Sequence, residues 1–164
     1  MDARTPLNAA YDMLSVLLSS YQTALDGIPD DDLNGWDASA TEKGGGEMTR
    51  LGPLGGHVVG AGTWMLEHQV FGLDSPRDRD QEFVTPHTRA ELDAMFATML
   101  TRFRELIDTH GDVDLAALPP TIRDTVPDWN RMMWLLHMID HTALHVGHAQ
   151  IQRQLWLAER GASV

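Results

Sequence analysis

The sequence predicts an all-α fold, a four-helix bundle in which a long crossover loop joins the first two helices. Three observations predict it. Four segments repeat apolar residues at helical intervals, stretches rich in Gly, Pro and Asp part them, and no run alternates apolar with polar residues as a half-buried strand would. Helices of about 20 to 30 residues suit a bundle, and the loop between the first two is long enough to cross it. At 164 residues, with no break in composition, the chain is read as a single domain over 1–164.

The first helix is expected to open at Thr5-Pro6, a capping side chain followed by proline in the first turn, and to end before Gly27-Ile28-Pro29. Tyr11, Leu14, Leu18, Tyr21 and Leu25 form its buried stripe. From Asp30-Asp31-Asp32 to Gly44-Gly45-Gly46 the chain reads as a loop, anchored to the core by Leu33 and Trp36. The second helix runs from Thr49 to about Phe71, with Pro53 tolerated in the first turn and Gly52, Gly55, Gly56, Gly60 and Gly62 weakening it. Packing must hold it, with His57, Ala61, Trp64, Met65, His68 and Phe71 on its inward face.

Thr88-Arg89-Ala90-Glu91 carries the reciprocal capping pattern and opens the third helix, which ends at His110-Gly111. Leu92, Phe96, Met99, Phe103, Leu106 and Ile107 turn to the core. After Pro119, Pro120 and Pro127, Asp128 is the expected cap of a last helix from about Trp129 to Ala158. That helix is apolar on two sides, with Met132, Leu135, Leu136, Ile139, Ala143 and Val146 opposite a histidine stripe. One side meets the bundle, and the other is covered either by the same chain or by a second copy in a homodimer.

Twelve Lys and Arg against twenty-four Asp and Glu give a net charge of -12, which argues against nucleic acid or an anionic membrane surface as partner. The densest basic stretch, Arg77-Asp78-Arg79-Asp80, is interleaved with acids and reads as a solvated loop. With no cysteine, disulfides, thiolate ligands and a protein-borne thiol nucleophile are excluded. The start of the chain lacks a signal-peptide pattern and no apolar run reaches membrane-spanning length, so a soluble, cytoplasmic protein is expected.

Four of the eight histidines, His137, His141, His145 and His148, fall at spacings of four, four and three. That spacing sets them along one stripe of a helix. Imidazole is the commonest ligand for zinc and suits nickel, copper and iron, so the stripe reads as half of a metal site. Two imidazoles four residues apart can share an ion, but a third in line on the same helix cannot readily complete the sphere. The third ligand must come from another helix, where His57 is the best candidate and His68 the runner-up. Spacing alone leaves open the pairs 137/141, 141/145 and 145/148.

His141-Thr142-Ala143-Leu144-His145-Val146-Gly147-His148 resembles the last-helix motif of the DinB/YfiT-like superfamily, and Leu54-Gly55-Gly56-His57 through Trp64 resembles its second-helix segment. The resemblance implies His57, His141 and His145 as metal ligands on a four-helix bundle, often dimeric. His148 and Val146 depart from the usual Gln and basic residue, and they border the site. The resemblance further implies a divalent ion, zinc first with nickel or iron as alternatives, and a low-molecular-weight thiol such as bacillithiol or mycothiol as cosubstrate.

Three neutral nitrogen ligands leave a position open on the ion, as in catalytic rather than structural sites. The expected function is activation of a thiol or of water for transfer to, or hydrolysis of, a small electrophile. The alternative is a metal-stabilised binding or stress-response module without catalysis. Trp64, Met65, His68, His137, Leu144 and His148 are candidate pocket walls, and Glu67 and Asp140 are the available carboxylates. No general acid or base is assigned.

Overall fold

The computed structural model describes residues 4–36 and 50–161. In chain order these hold α1 (Arg4–Ala24), α2 (Asp30–Gly35), α3 (Leu51–Trp64), a π-helical continuation of α3 (Met65–Val70), α4 (Arg79–Glu82), α5 (Arg89–His110) and α6 (Arg131–Glu159). The fold is all-α, as expected. α1 packs on α5 and α6, and α3 packs on the same two, so α1 and α3 lie across the diagonal of the bundle. The step from α1 to α3 is therefore diagonal, and residues 37–49 of the connection lie outside the described residues.

The periodic stripes become the core. Leu14, Leu18, Tyr21 and Leu25 of the first segment are buried, and Tyr11 is half-buried. The six apolar residues expected to face inward from α5 are all buried. Each fully buried Leu or Phe contributes about 1.5 to 3 kcal/mol, which outweighs the poor intrinsic helicity of a glycine-rich α3. Several of those glycines sit where a neighbour leaves no room. A Cβ on Gly55 would lie 2.6 Å from Leu92 Cδ2.

Three local expectations are corrected. The stretch beginning at Asp30 is not all loop: Asp30, Asp31 and Asp32 occupy the first turn of α2, where carboxylates suit the helix dipole. Asp32 accepts hydrogen bonds from Trp156 Nε1 at 2.9 Å and Arg160 at 2.8 Å, tying α2 to the end of α6. Leu33 is buried and Trp36 packs against the core, as anticipated. The glycine run and Thr49 lie outside the described residues.

The second correction concerns the cap of α6, which is Asn130 rather than Asp128. Its side chain accepts from Met133 N at 3.0 Å. The chain's own turns decide this, because Arg131 N and Met132 N donate to Ala117 and Leu115 carbonyls and so fix where the helix begins. The third is the change from α to π winding after Trp64, which hydrophobic periodicity did not disclose.

One buried polar contact positions the site-bearing helix α3. Tyr21 Oη donates to Leu51 O at 2.8 Å, and burial pushes its phenol well above the ordinary range, so it stays a donor. The Thr88–Glu91 capping box is formed, and just before it His87 N donates to Asn34 Oδ1 at 2.9 Å. No helix among the described residues is long and apolar enough to cross a membrane.

Candidate metal centre

α3 and α6 pack so that His57 meets the middle of the histidine stripe. His57 Nε2 lies 3.1 Å from His141 Nε2, and His145 Nε2 lies 3.2 Å from the same atom. One ligand nitrogen from each of the three falls within 4.8 Å of the others, so this triad could hold a metal ion. Of the pairs that spacing left open, the middle one, 141/145, is the pair that meets His57.

Hydrogen bonding cannot satisfy this meeting of nitrogens. A neutral His141 Nε2 offers either one proton or one lone pair, yet two imidazole nitrogens approach it. His141 Nδ1 is buried and has no partner. Burial and then the neighbouring imidazoles hold the His141 pKa down to about 3, and burial with His57 and His148 holds His145 to about 4. Protonation near neutral pH is thus not the remedy. Ligands about 2.0 to 2.1 Å from a tetrahedral ion stand roughly 3.3 Å apart, close to the two separations here. The donor set fits a divalent cation.

A carboxylate absent from the sequence expectations supports the triad. Glu82, at the end of α4, lies 2.9 Å from His57 Nδ1. Arg77 donates to both oxygens of Glu82 at 2.7 Å. Burial works to raise the Glu82 pKa, but the hydrogen bonds from Arg77 and His57 prevail and hold it below the usual value. An ionised carboxylate can only accept, so Nδ1 of His57 carries the proton and its Nε2 lone pair faces the triad. Phe83 stacks on the same imidazole at 4.2 Å between centroids.

The triad opens on a cavity of about 820 Å³. Trp64, Met65, His137, Leu144 and His148 line it, as anticipated. His68 does not. Its Nδ1–H donates to Leu73 O at 3.0 Å and its Nε2 accepts from Thr121 at 2.7 Å. Eleven residues of helix put it roughly 16 Å along the axis from His57. It reaches the cavity only indirectly, stacked behind Trp64.

Neither carboxylate singled out from the sequence is among the lining residues. Glu67 pairs with Arg102 at 2.7 Å, and the Asp140 side chain is 84% exposed. His148 Nδ1 lies 3.4 Å from His145 Nδ1, while His137 packs edge-on against Trp129, Trp134 and His141.

The expected solvated loop at Arg77-Asp78-Arg79-Asp80 is a wall of the cavity instead, through Arg77 and Arg79. Arg50, Phe83, Val84, Arg123 and Trp134 complete what the sequence did not suggest. Trp134 could have been found, since it precedes His137 by three residues and continues its stripe. Arg77 and Glu82 sit in a segment without periodicity, so no pattern points to them.

A family model described as MST: Mycothiol-S-transferase matches residues 61–157, more than half of the chain. The matched span includes His141 and His145 and begins just after His57. No curated protein and no solved structure matches the chain.

Proposed function

The chain belongs to the mycothiol-S-transferase family, within the DinB/YfiT-like superfamily, and from that membership we propose that it is a metal-dependent enzyme joining a low-molecular-weight thiol to a small electrophile. His57, His141 and His145 hold the ion, zinc in the first instance, with nickel or iron as alternatives. The observation that carries this reading is the convergence of their three Nε2 atoms beside an open cavity.

When bound, a divalent ion supplies the Lewis acidity that lets a thiol lose its proton near neutral pH. The chain's residues do the rest. Glu82 and Phe83 fix the ring of His57, burial keeps His141 and His145 neutral, and Trp64 and Trp134 wall one side of the cavity with apolar surface. Sulfur forms the new bond to the electrophilic carbon, the leaving group departs with its electron pair, and the thiol proton passes to solvent. A mycothiol- or bacillithiol-type thiol is the proposed nucleophile, with water as the hydrolytic alternative. The absence of any cysteine means that the sulfur arrives on the cosubstrate.

The cavity beside the triad weighs against a purely structural metal in a non-catalytic or stress-response module, since structural sites close their coordination with protein ligands. A homodimer is proposed through the side of α6 where Met133, Leu136, Leu144, Ile151 and Leu155 are exposed. We propose a cytoplasmic location, where such thiols are held reduced, and neither nucleic acid nor membrane as partner.

The test is elemental analysis of protein purified without a histidine tag, followed by conjugation of mycothiol to a small alkyl halide with and without chelator. One equivalent of metal and chelator-sensitive conjugation are expected. Metal-free protein that cannot be loaded would overturn the reading.

A further inference from the structure

We infer that the cavity beside the triad selects an electrophile carrying an anionic oxygen group, held by the guanidinium groups of Arg123 and Arg79. The inference deepens the thiol-transfer reading by naming the class of its second substrate, and for the reaction it rests on that reading; the binding preference does not.

The argument begins with charge. The chain has twelve cationic side chains against twenty-four acids, yet four of the twelve, Arg50, Arg77, Arg79 and Arg123, line this one cavity. No Asp or Glu is among the described lining residues. An acidic protein has concentrated positive potential where its metal-binding nitrogens converge, and low-dielectric walls focus such a field.

The cations are not equivalent. Arg77 is neutralised by Glu82 through two hydrogen bonds and belongs to the support of His57. Elsewhere, Arg89, Arg102 and Arg160 have carboxylate partners, while Arg104, Arg131 and Arg153 bond to a side-chain amide or to backbone carbonyls. Arg50, Arg79 and Arg123 have no carboxylate partner among the described residues, and of these three only Arg79 and Arg123 also lie over aromatic rings there. Arg123 lies over Trp64 at 4.9 Å and near Trp134 at 5.8 Å, and Arg79 lies over Phe83 at 5.0 Å. A guanidinium held over an aromatic ring can keep the N–H groups at its edge free, and that edge matches a carboxylate or phosphate with two parallel hydrogen bonds. The same aromatic rings present apolar surface to the body of the ligand.

Electroneutrality points the same way. Imidazole ligands carry no charge, so a bound divalent ion would bring two positive charges, of which a thiolate would compensate one. An anion on the second substrate would offset part of the remainder and of the charge on Arg79 and Arg123.

The experiment uses metal-free, chelator-treated protein, so that no ligand can owe its affinity to the ion. Naphthalene-2-carboxylate, 2-naphthyl phosphate and the neutral naphthalene-2-carboxamide are titrated calorimetrically. At least one anion is expected to bind about tenfold or more tightly than the amide, and the tighter of the two identifies the oxygen group. Combining Arg79→Gln with Arg123→Gln should bring that preference below about threefold while leaving amide binding and the circular dichroism spectrum unchanged.

Anions that bind wild type no better than the amide would overturn the inference, as would a preference that survives both substitutions. Should the double variant misfold, the wild-type comparison decides alone. Absence of metal or of thiol transfer would remove the proposed reaction and leave this preference standing. Loss of the preference with transfer intact would remove only the inference.

Discussion

Glu82 accepts a hydrogen bond from Nδ1–H of His57 at 2.9 Å and so aims the Nε2 lone pair of that ring at His141. A carboxylate behind a ligating imidazole fixes the tautomer and raises the basicity of the ligand. Loss of such a partner costs about 10- to 100-fold in metal affinity. Glu82→Ala should therefore weaken zinc binding by that factor, measured by competition with a chromogenic chelator. It also leaves Arg77 unpaired near the triad, which pushes in the same direction. Affinity within about twofold of wild type would mean that stacking on Phe83 alone holds the ring.

The two histidine candidates for the third ligand separate cleanly. His57→Ala removes a nitrogen from the convergence and should abolish stoichiometric metal while α3 and α6 remain folded. His68→Ala should leave metal content at wild-type stoichiometry. Its loss removes the hydrogen bonds to Leu73 and Thr121, so a decrease of about 1 to 2 kcal/mol in unfolding free energy is expected instead. Inductively coupled plasma analysis and urea denaturation of the two variants check both halves.

The depressed histidine pKa values set the acid behaviour of the metal-free protein. The folded-state values of about 3 for His141 and about 4 for His145 lie below the ordinary 6.5, so over that window the unfolded chain binds protons that the folded chain refuses. Their contribution is intact above about 6.5 and is lost as pH falls toward 4 and then 3. The melting temperature of chelated protein should be flat from pH 8 to about 6.5 and decline below it. His141→Gln, which cannot titrate, should flatten the decline. A melting curve as steep in the variant as in wild type would assign the acid lability to other groups.

How much of this was legible beforehand depends on whether a residue belongs to a periodic segment. The core positions of α5, the capping box at Thr88 and Glu91, and the helical stripe of His137 to His148 follow from intervals of three and four. Those intervals also carried most of the cavity wall. What was hidden has another origin. Glu82 and Arg77 reach His57 because the chain between Val70 and Arg89 folds back over α3, and tertiary contacts of that kind leave no interval in the sequence. The axial distance between His57 and His68 shows the converse limit: a shared face says nothing of a shared height along the bundle.

Gly60 joins the weak helix to the histidine triad. A Cβ there would overlap the Glu82 carboxylate, lying 2.7 Å from its Cδ and 3.0 Å from its Cγ. The end of a glutamate ordinarily swings away at little cost. Here two hydrogen bonds from Arg77 and one from His57 hold it, so the displacement must break contacts that orient the site. In a helix, alanine is favoured over glycine by about 1 kcal/mol, which offsets much of the steric cost in global stability. Gly60→Ala should therefore melt within a few degrees of wild type yet bind zinc about tenfold or more weakly, and in combination with Glu82→Ala it should add little further loss. A double variant whose losses add in full would show that Gly60 acts on α3 itself and not through the carboxylate.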